Sequence, residues 1–302
     1  MKMQRKVLMD LIEIKSAIAS VLPFIIGVLY TSYHHITLDW VNIGLFFLAA
    51  VAFHLATNVW DNLQDYLNAK HATFKAGVND VIGRESLTKQ QVEKVLLTLM
   101  IIATGLGLLV WVRVGGIVWP ILAILSYGVG FLYSGGPKPI SRTPLGETFS
   151  GLTMGFVIVL MVVLVNNVKL TGSLVWTVFI TAAIGVFSIA NIMLANNIGD
   201  YQEDLKEDRH TLVYYLGQTK ALYLYLILYT CGYLSVGYGV LVHILPWSTL
   251  LSLIGILPIV NHFKYFWQDR TKKGSFILTI KNTVIIMGLY IIGLLMAIIF
   301  SF

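Results

Sequence analysis

Nine apolar stretches of about twenty residues run through this chain, near 13–32, 41–62, 93–112, 116–134, 146–166, 173–198, 222–242, 246–263 and 282–301. A helix of that length spans the hydrocarbon core of a bilayer. Lipid offers no partners to backbone N–H and C=O groups, so a spanning segment must close its hydrogen bonds within itself or within a closed barrel. The stretches lack the polar/apolar alternation a barrel needs. The predicted fold class is therefore an all-α membrane protein, a bundle of about nine transmembrane helices. Spans and loops use up nearly all of the chain, so residues 1–302 read as a single membrane-embedded domain. Only 12% of residues are charged, against roughly 25% in soluble domains. Membrane lipid is an expected partner, and nucleic acid is not.

The first stretch follows Lys2, Arg5 and Lys6, as a secretory signal would, but no small-x-small cleavage site closes it, so it reads as a retained helix. Cys231 is the only cysteine. It cannot form an internal disulfide and is expected to pack as a small apolar group.

Orientation follows the distribution of lysine and arginine between loops. The N-terminus and the loops after the second, fourth, sixth and eighth stretches hold 18 of the 21 basic residues, whereas the opposite side has Arg113 and Lys169. That asymmetry predicts a cytoplasmic N-terminus and an external C-terminus, in a cell (inner or plasma) membrane. Tyr30, Trp40, Trp111, Trp119, Trp176 and Trp247 lie near proposed helix ends and suit interfacial anchoring.

Acidic residues concentrate at two cytoplasmic helix ends. Asp61 and Asp65 close the second helix, four residues apart and hence on one face. The sixth ends with Asn196, Asn197 and then Asp200, Asp204 and Asp208, again at intervals of four. Paired carboxylates at the membrane edge repel unless a cation or water compensates them, which makes them functional candidates. If the two helices face each other, their donors are all oxygen, suited to a hard cation such as Mg2+. Magnesium commonly retains substrate phosphate oxygens as ligands, which points to a phosphorylated ligand. Lys138, Arg142 and Arg209, with Arg84 and His210, are the basic residues placed to meet one. His34, His35, His54, His71, His243 and His262 show no metal-ligand spacing and read as structural or interfacial. Gly151 and Gly155 read as a close helix contact.

With these residues in place, the chain resembles the UbiA superfamily of membrane-embedded aromatic prenyltransferases. Its signatures are an Asn/Asp-rich motif after the second helix and a DxxxD motif after the sixth. Asp200 and Asp204 fit the second motif, with Asn196 or Asn197 as its upstream asparagine. Asp61 and Asp65 fit the last two aspartates of the first, NDxxDxxxD, while Thr57 and Asn58 stand where Asn and Asp are usual. The segments 133–139, 145–147 and 196–212 look most like the branch that prenylates 1,4-dihydroxy-2-naphthoate in menaquinone biosynthesis, although Arg209-His210 replaces a common Gly-Lys pair. The loop 79–84 is also similar to the family's second loop.

The resemblance implies that Asp61, Asp65, Asp200 and Asp204 hold Mg2+ around the diphosphate of a polyprenyl diphosphate. Asn58, Asn196, Asn197, Lys138, Arg209, Arg84 and Arg142 would contact that diphosphate, and Tyr133 would stabilise the allylic cation that an aromatic acceptor attacks. Alternative acceptors are 4-hydroxybenzoate, another quinol precursor or haem. A competing class is secondary transport, which would place the key acids near the bilayer midplane on broken helices.

Overall fold

The computed structural model describes residues 3–69, 81–271, 274 and 276–300. Lys2, Lys70, His71, Lys75, Asn79, Asp80, Lys272 and Lys273 lie outside that set. Among the described residues every regular element is helical. Among these residues eight helices are long and apolar enough to cross a membrane: α1 Ile14–Tyr33, α2 Trp40–Asn68, α3 Lys89–Val114, α5 Gly146–Leu164, α6 Gly172–Gly199, α7 Leu212–Leu241, α8 Trp247–Gln268 and α9 Ile277–Phe300. The ninth, α4 Val118–Ser134, is shorter. All nine expected stretches are helices, and the chain is a multi-pass membrane protein.

The helices are anchored by ordinary end chemistry. Asp39 caps α2 by accepting from the Asn42 backbone N–H at 2.9 Å. Thr88 and Gln91 form a reciprocal capping box at the start of α3. The largest boundary difference is in α7, which begins at Leu212 rather than near 222. Gly217 adopts φ +72° inside it and kinks it, and the polar run Gln218-Thr219-Lys220 masks the continuation in a hydropathy reading. The Gln218 amide donates to the Ile198 carbonyl at 2.9 Å, tying the kink to the end of α6.

α6 is the centre of the bundle. Of its most apolar window 78% is buried, against 11% in α3, so α6 touches protein nearly all round while α3 faces outward. α5 packs on α6 through a π-helical turn, Gly151–Val157. A Cβ on Gly151 would stand 2.6 Å from the Val186 carbonyl oxygen, and one on Gly155 2.6 Å from the Val186 Cα. Only glycine permits that backbone approach, as the small-residue spacing indicates.

The aromatic expectation needs one correction. Trp40, Trp176 and Trp247 are exposed and Trp111 is partly exposed while also lining the cavity described below, but Tyr30 and Trp119 are buried, 3% and 4% exposed. The Tyr30 hydroxyl bonds Thr177 at 2.8 Å, and the Trp119 N–H donates to the Gly107 carbonyl at 3.2 Å. A polar handle satisfied inside the protein removes the need for the interface.

Candidate active site

Three helices end on the same side of the bundle, α2 at Asn68, α4 at Ser134 and α6 at Gly199. Between them lies a cavity of about 1240 Å³, larger than the ~300–1,000 Å³ typical of a small-ligand pocket. Asp61 and Asp65 reach it from the last turns of α2, Tyr133 and Ser134 from the end of α4, and Asn196 and Asp200 from the end of α6. Its inner wall is apolar and aromatic, including Phe46, Phe53, Tyr127 and Phe131.

The wall is locked by contacts that the helical register sets up. The Trp60 N–H donates to the Phe131 carbonyl at 3.0 Å, holding α2 against α4. One residue on, the Ser134 hydroxyl donates to Asp61. Asn58, one turn earlier on the same face, also lines the cavity and gives its amide to the Ile12 carbonyl at 3.0 Å and to Ser16 Oγ at 2.7 Å.

At the second motif the helix breaks. α6 stops at Gly199, Asp200 leaves helical geometry at φ −92°, ψ 3°, and a new short helix Tyr201–Lys206 starts. The Asp204 backbone N–H returns to the Asp200 carbonyl at 2.8 Å, and the Arg209 N–H to the Asp204 carbonyl at 2.9 Å. That fold-back brings Arg209 inward. Its Nε stands 3.3 Å from Asp204 Oδ1 and its Nη1 4.0 Å from Asp65 Oδ2, so one guanidinium bridges both acidic motifs. Thr211 Oγ1 donates to Asp204 Oδ2 at 3.4 Å. Burial works against the Arg209 charge, but Asp65, Asp204, Asp61 and Asp200 outweigh it and hold its pKa above the ordinary arginine value. The compensating cation for the acid pairs is thus partly built into the chain.

Asp61, Asp65, Asp200, Asp204, Asn58, Asn196, Tyr133 and Arg209 are brought to one cavity. Four other expected residues do not line it. Arg84 turns outward to Asp10 at 3.5 Å and Glu85 at 3.1 Å. Lys138 is exposed beyond α4. Arg142 meets the site loop through its carbonyl, which accepts from the His210 backbone N–H at 3.2 Å. Asn197 does not line the cavity and donates instead to Glu147 at 2.9 Å, just behind the wall that carries Tyr133 and Asp204. Asp208 falls off the four-residue rhythm as well, because the short helix ends before it at φ +56°, and it pairs with His210 at 3.4 Å.

Further residues reach the cavity that spacing does not single out: Glu13, Ser16, Ser134, Glu203 and Glu207. Glu13 and Ser16 sit at the start of α1, far in sequence from both acidic motifs. Only the position of Glu203 and Glu207 inside the second acidic segment is a signal. The Tyr133 hydroxyl is buried and has no hydrogen-bond partner among the described residues, an arrangement that costs about 1–3 kcal/mol unless something entering the cavity meets it. Also among the described residues, no three acidic, histidine or cysteine side chains form a group able to hold a metal by themselves.

Comparison with known proteins gives this arrangement a lineage. Residues 20–283 match the model of the UbiA prenyltransferase family. A curated relative, 1,4-dihydroxy-2-naphthoate octaprenyltransferase of Bacillus subtilis (strain 168), is 27% identical over 272 residues, covering 88% of this chain and 83% of the relative. The fold matches an apo UbiA homologue from Aeropyrum pernix K1 with a TM-score of 0.72 at 18% identity, over 92% of this chain and 98% of that one. It also matches a UbiA homologue from Archaeoglobus fulgidus bound to GPP and Mg2+, with a TM-score of 0.69 at 14% identity over 97% and 99% of the two chains. A family match across most of the bundle, over a fold that these solved structures share, places this chain in the UbiA prenyltransferase family as a membrane-embedded prenyl-transferring enzyme.

Proposed function

We propose that this enzyme transfers a polyprenyl chain from a polyprenyl diphosphate to an aromatic acceptor, 1,4-dihydroxy-2-naphthoate, as a step of menaquinone biosynthesis. The carrying observation is that one cavity joins both acidic motifs and Arg209 at its mouth to an aromatic, apolar interior. The mouth suits a diphosphate and the interior suits a prenyl chain and a flat ring. The acceptor is taken from the Bacillus subtilis relative.

The donor set at the mouth fits magnesium. Asp61, Asp65, Asp200 and Asp204 offer hard oxygen ligands, and an incomplete protein cage is what Mg2+ uses when phosphate oxygens complete it. Bound there, the metal supplies Lewis-acid stabilisation of the departing diphosphate. Arg209 adds a fixed positive charge facing the same group, aimed by Asp204 and Asp65. Asn196 contributes an amide dipole beside it, and Asn58, whose amide hydrogens go to Ile12 and Ser16, presents its side-chain carbonyl oxygen toward the metal-holding carboxylates.

As the allylic C–O bond breaks, positive charge develops on the prenyl carbon. The Tyr133 ring and the aromatic wall stabilise that charge, and the apolar lining keeps water from quenching it. The ring carbon of the acceptor then bonds to the prenyl carbon, and the ring carboxylate leaves as carbon dioxide. The concentration of lysine and arginine in the loops on the side of the mouth supports a cytoplasmic mouth in a plasma membrane, with the C-terminus outside. Purified protein in lipid nanodiscs, given a polyprenyl diphosphate and 1,4-dihydroxy-2-naphthoate, is expected to release carbon dioxide and form the prenylated naphthoquinol only when magnesium is added. Absence of magnesium-dependent product with this acceptor, 4-hydroxybenzoate or haem overturns the reading.

A further inference from the structure

Among the described residues His54 is the one histidine that lines the cavity, and its hydrogen bonds fix which ring nitrogen can serve a ligand. The Ser20 hydroxyl donates to the Ala17 carbonyl at 2.9 Å. Having spent its proton there, it accepts from His54 Nδ1 at 2.9 Å, so Nδ1 carries the ring hydrogen. Nε2 is left as the acceptor. Its partner is Ser16 Oγ at a long 3.4 Å, and that hydroxyl already accepts from Asn58 at 2.7 Å. The chain of donors therefore runs in one direction, Asn58 to Ser16 to His54 to Ser20, and its weakest link is the bond to Nε2.

The position of this weak link matters. His54 precedes Asp61 by seven residues on α2, which places it on the same helical face about 10 Å deeper into the cavity. Next to it, Phe53 stacks on Tyr127 with ring centroids 4.3 Å apart and planes 11° from parallel, and both rings line the cavity. His54 lines the cavity with these rings, about two helical turns below the acidic mouth, and its acceptor nitrogen holds only the long Ser16 contact, which makes this a place for a phenol.

We propose that His54 Nε2 accepts a hydrogen bond from a ring hydroxyl of the aromatic acceptor, displacing the long Ser16 contact, and so sets acceptor orientation and specificity. The assignment rests on the prenyl-transfer reading. It makes His54 a positioning residue, with no proton or bond transferred in the step.

The test measures binding of 1,4-dihydroxy-2-naphthoate, 1-hydroxy-2-naphthoate and 4-hydroxy-2-naphthoate to the protein in nanodiscs, for wild type, His54→Leu and His54→Gln, with thermal unfolding and polyprenyl diphosphate affinity recorded in parallel. Wild type is expected to bind the dihydroxy compound roughly tenfold more tightly than the one lacking the recognised hydroxyl. His54→Leu loses that preference. His54→Gln, whose side-chain oxygen can take the place of Nε2, keeps most of it, and donor affinity stays within about twofold of wild type in both variants. Retained discrimination in His54→Leu overturns the assignment and leaves prenyl transfer standing. So does a fall in donor affinity or unfolding temperature in both variants, which marks a helix lock only. A wild type that transfers no prenyl group removes the assignment together with the functional reading.

Discussion

The two acidic motifs share a four-residue spacing, yet they are built differently. Asp61 and Asp65 belong to an unbroken helix, so the spacing projects both onto the cavity, and Asp65 keeps a side-chain exposure of 35%. Asp200 and Asp204 straddle a break, and Asp204 is 4% exposed, held by Arg209 and Thr211. Each motif is also followed by an arginine in its loop, Arg84 after the first and Arg209 after the second. Arg84 turns outward to surface acids, and Arg209 turns inward. Identical spacing thus yields two structures: the first motif leaves its carboxylates facing the cavity, and the second also fixes the loop that brings Arg209 inward.

Substitution separates these roles. Asp61→Asn is expected to lower the turnover of prenyl transfer by about 10³-fold, the scale of losing one electrostatic contact to a transition state, with an unfolding temperature close to wild type. Activity near normal would break the comparison at its first half. Asp204→Leu is expected to strand a buried guanidinium and cost roughly 3–5 kcal/mol of stability, read as a clear fall in unfolding temperature. Adding Arg209→Met should restore stability to within about 1 kcal/mol of wild type, because an apolar pair can replace a buried ion pair, while activity stays lost. Failure of that rescue would mean that Asp204 stabilises the loop through contacts other than the arginine. The smallest effect belongs to Arg84→Ala, whose exposed pairs are worth about 0–1 kcal/mol; activity is expected to stay within twofold, and a large loss would place Arg84 at the mouth after all.

Much of this was legible before any coordinates. Helix number and position follow from apolar length alone, because lipid allows no other solution for the backbone. The motif aspartates and Arg209 could be selected because charge at a membrane edge is costly and so informative. What could not be read was direction. Arg84, Lys138 and Arg142 satisfy the same composition rule as Arg209, and only the fold-back after Gly199 decides which cation faces in. Asn196 and Asn197 are neighbours in sequence, but a turn of about 100° between successive residues leaves only Asn196 on the cavity wall. Gly217 hid the start of α7 because a kinked polar turn looks like a loop in a hydropathy trace.

The central place of α6 has a consequence for how large substrates get in. A helix gripped on all sides, with backbone pressed against the glycine turn of α5, has no room to slide or rotate. Under the proposed reaction, entry of a long apolar tail falls to the outer helices, α3 above all, whose Leu97, Ile101, Leu109 and Val112 are exposed.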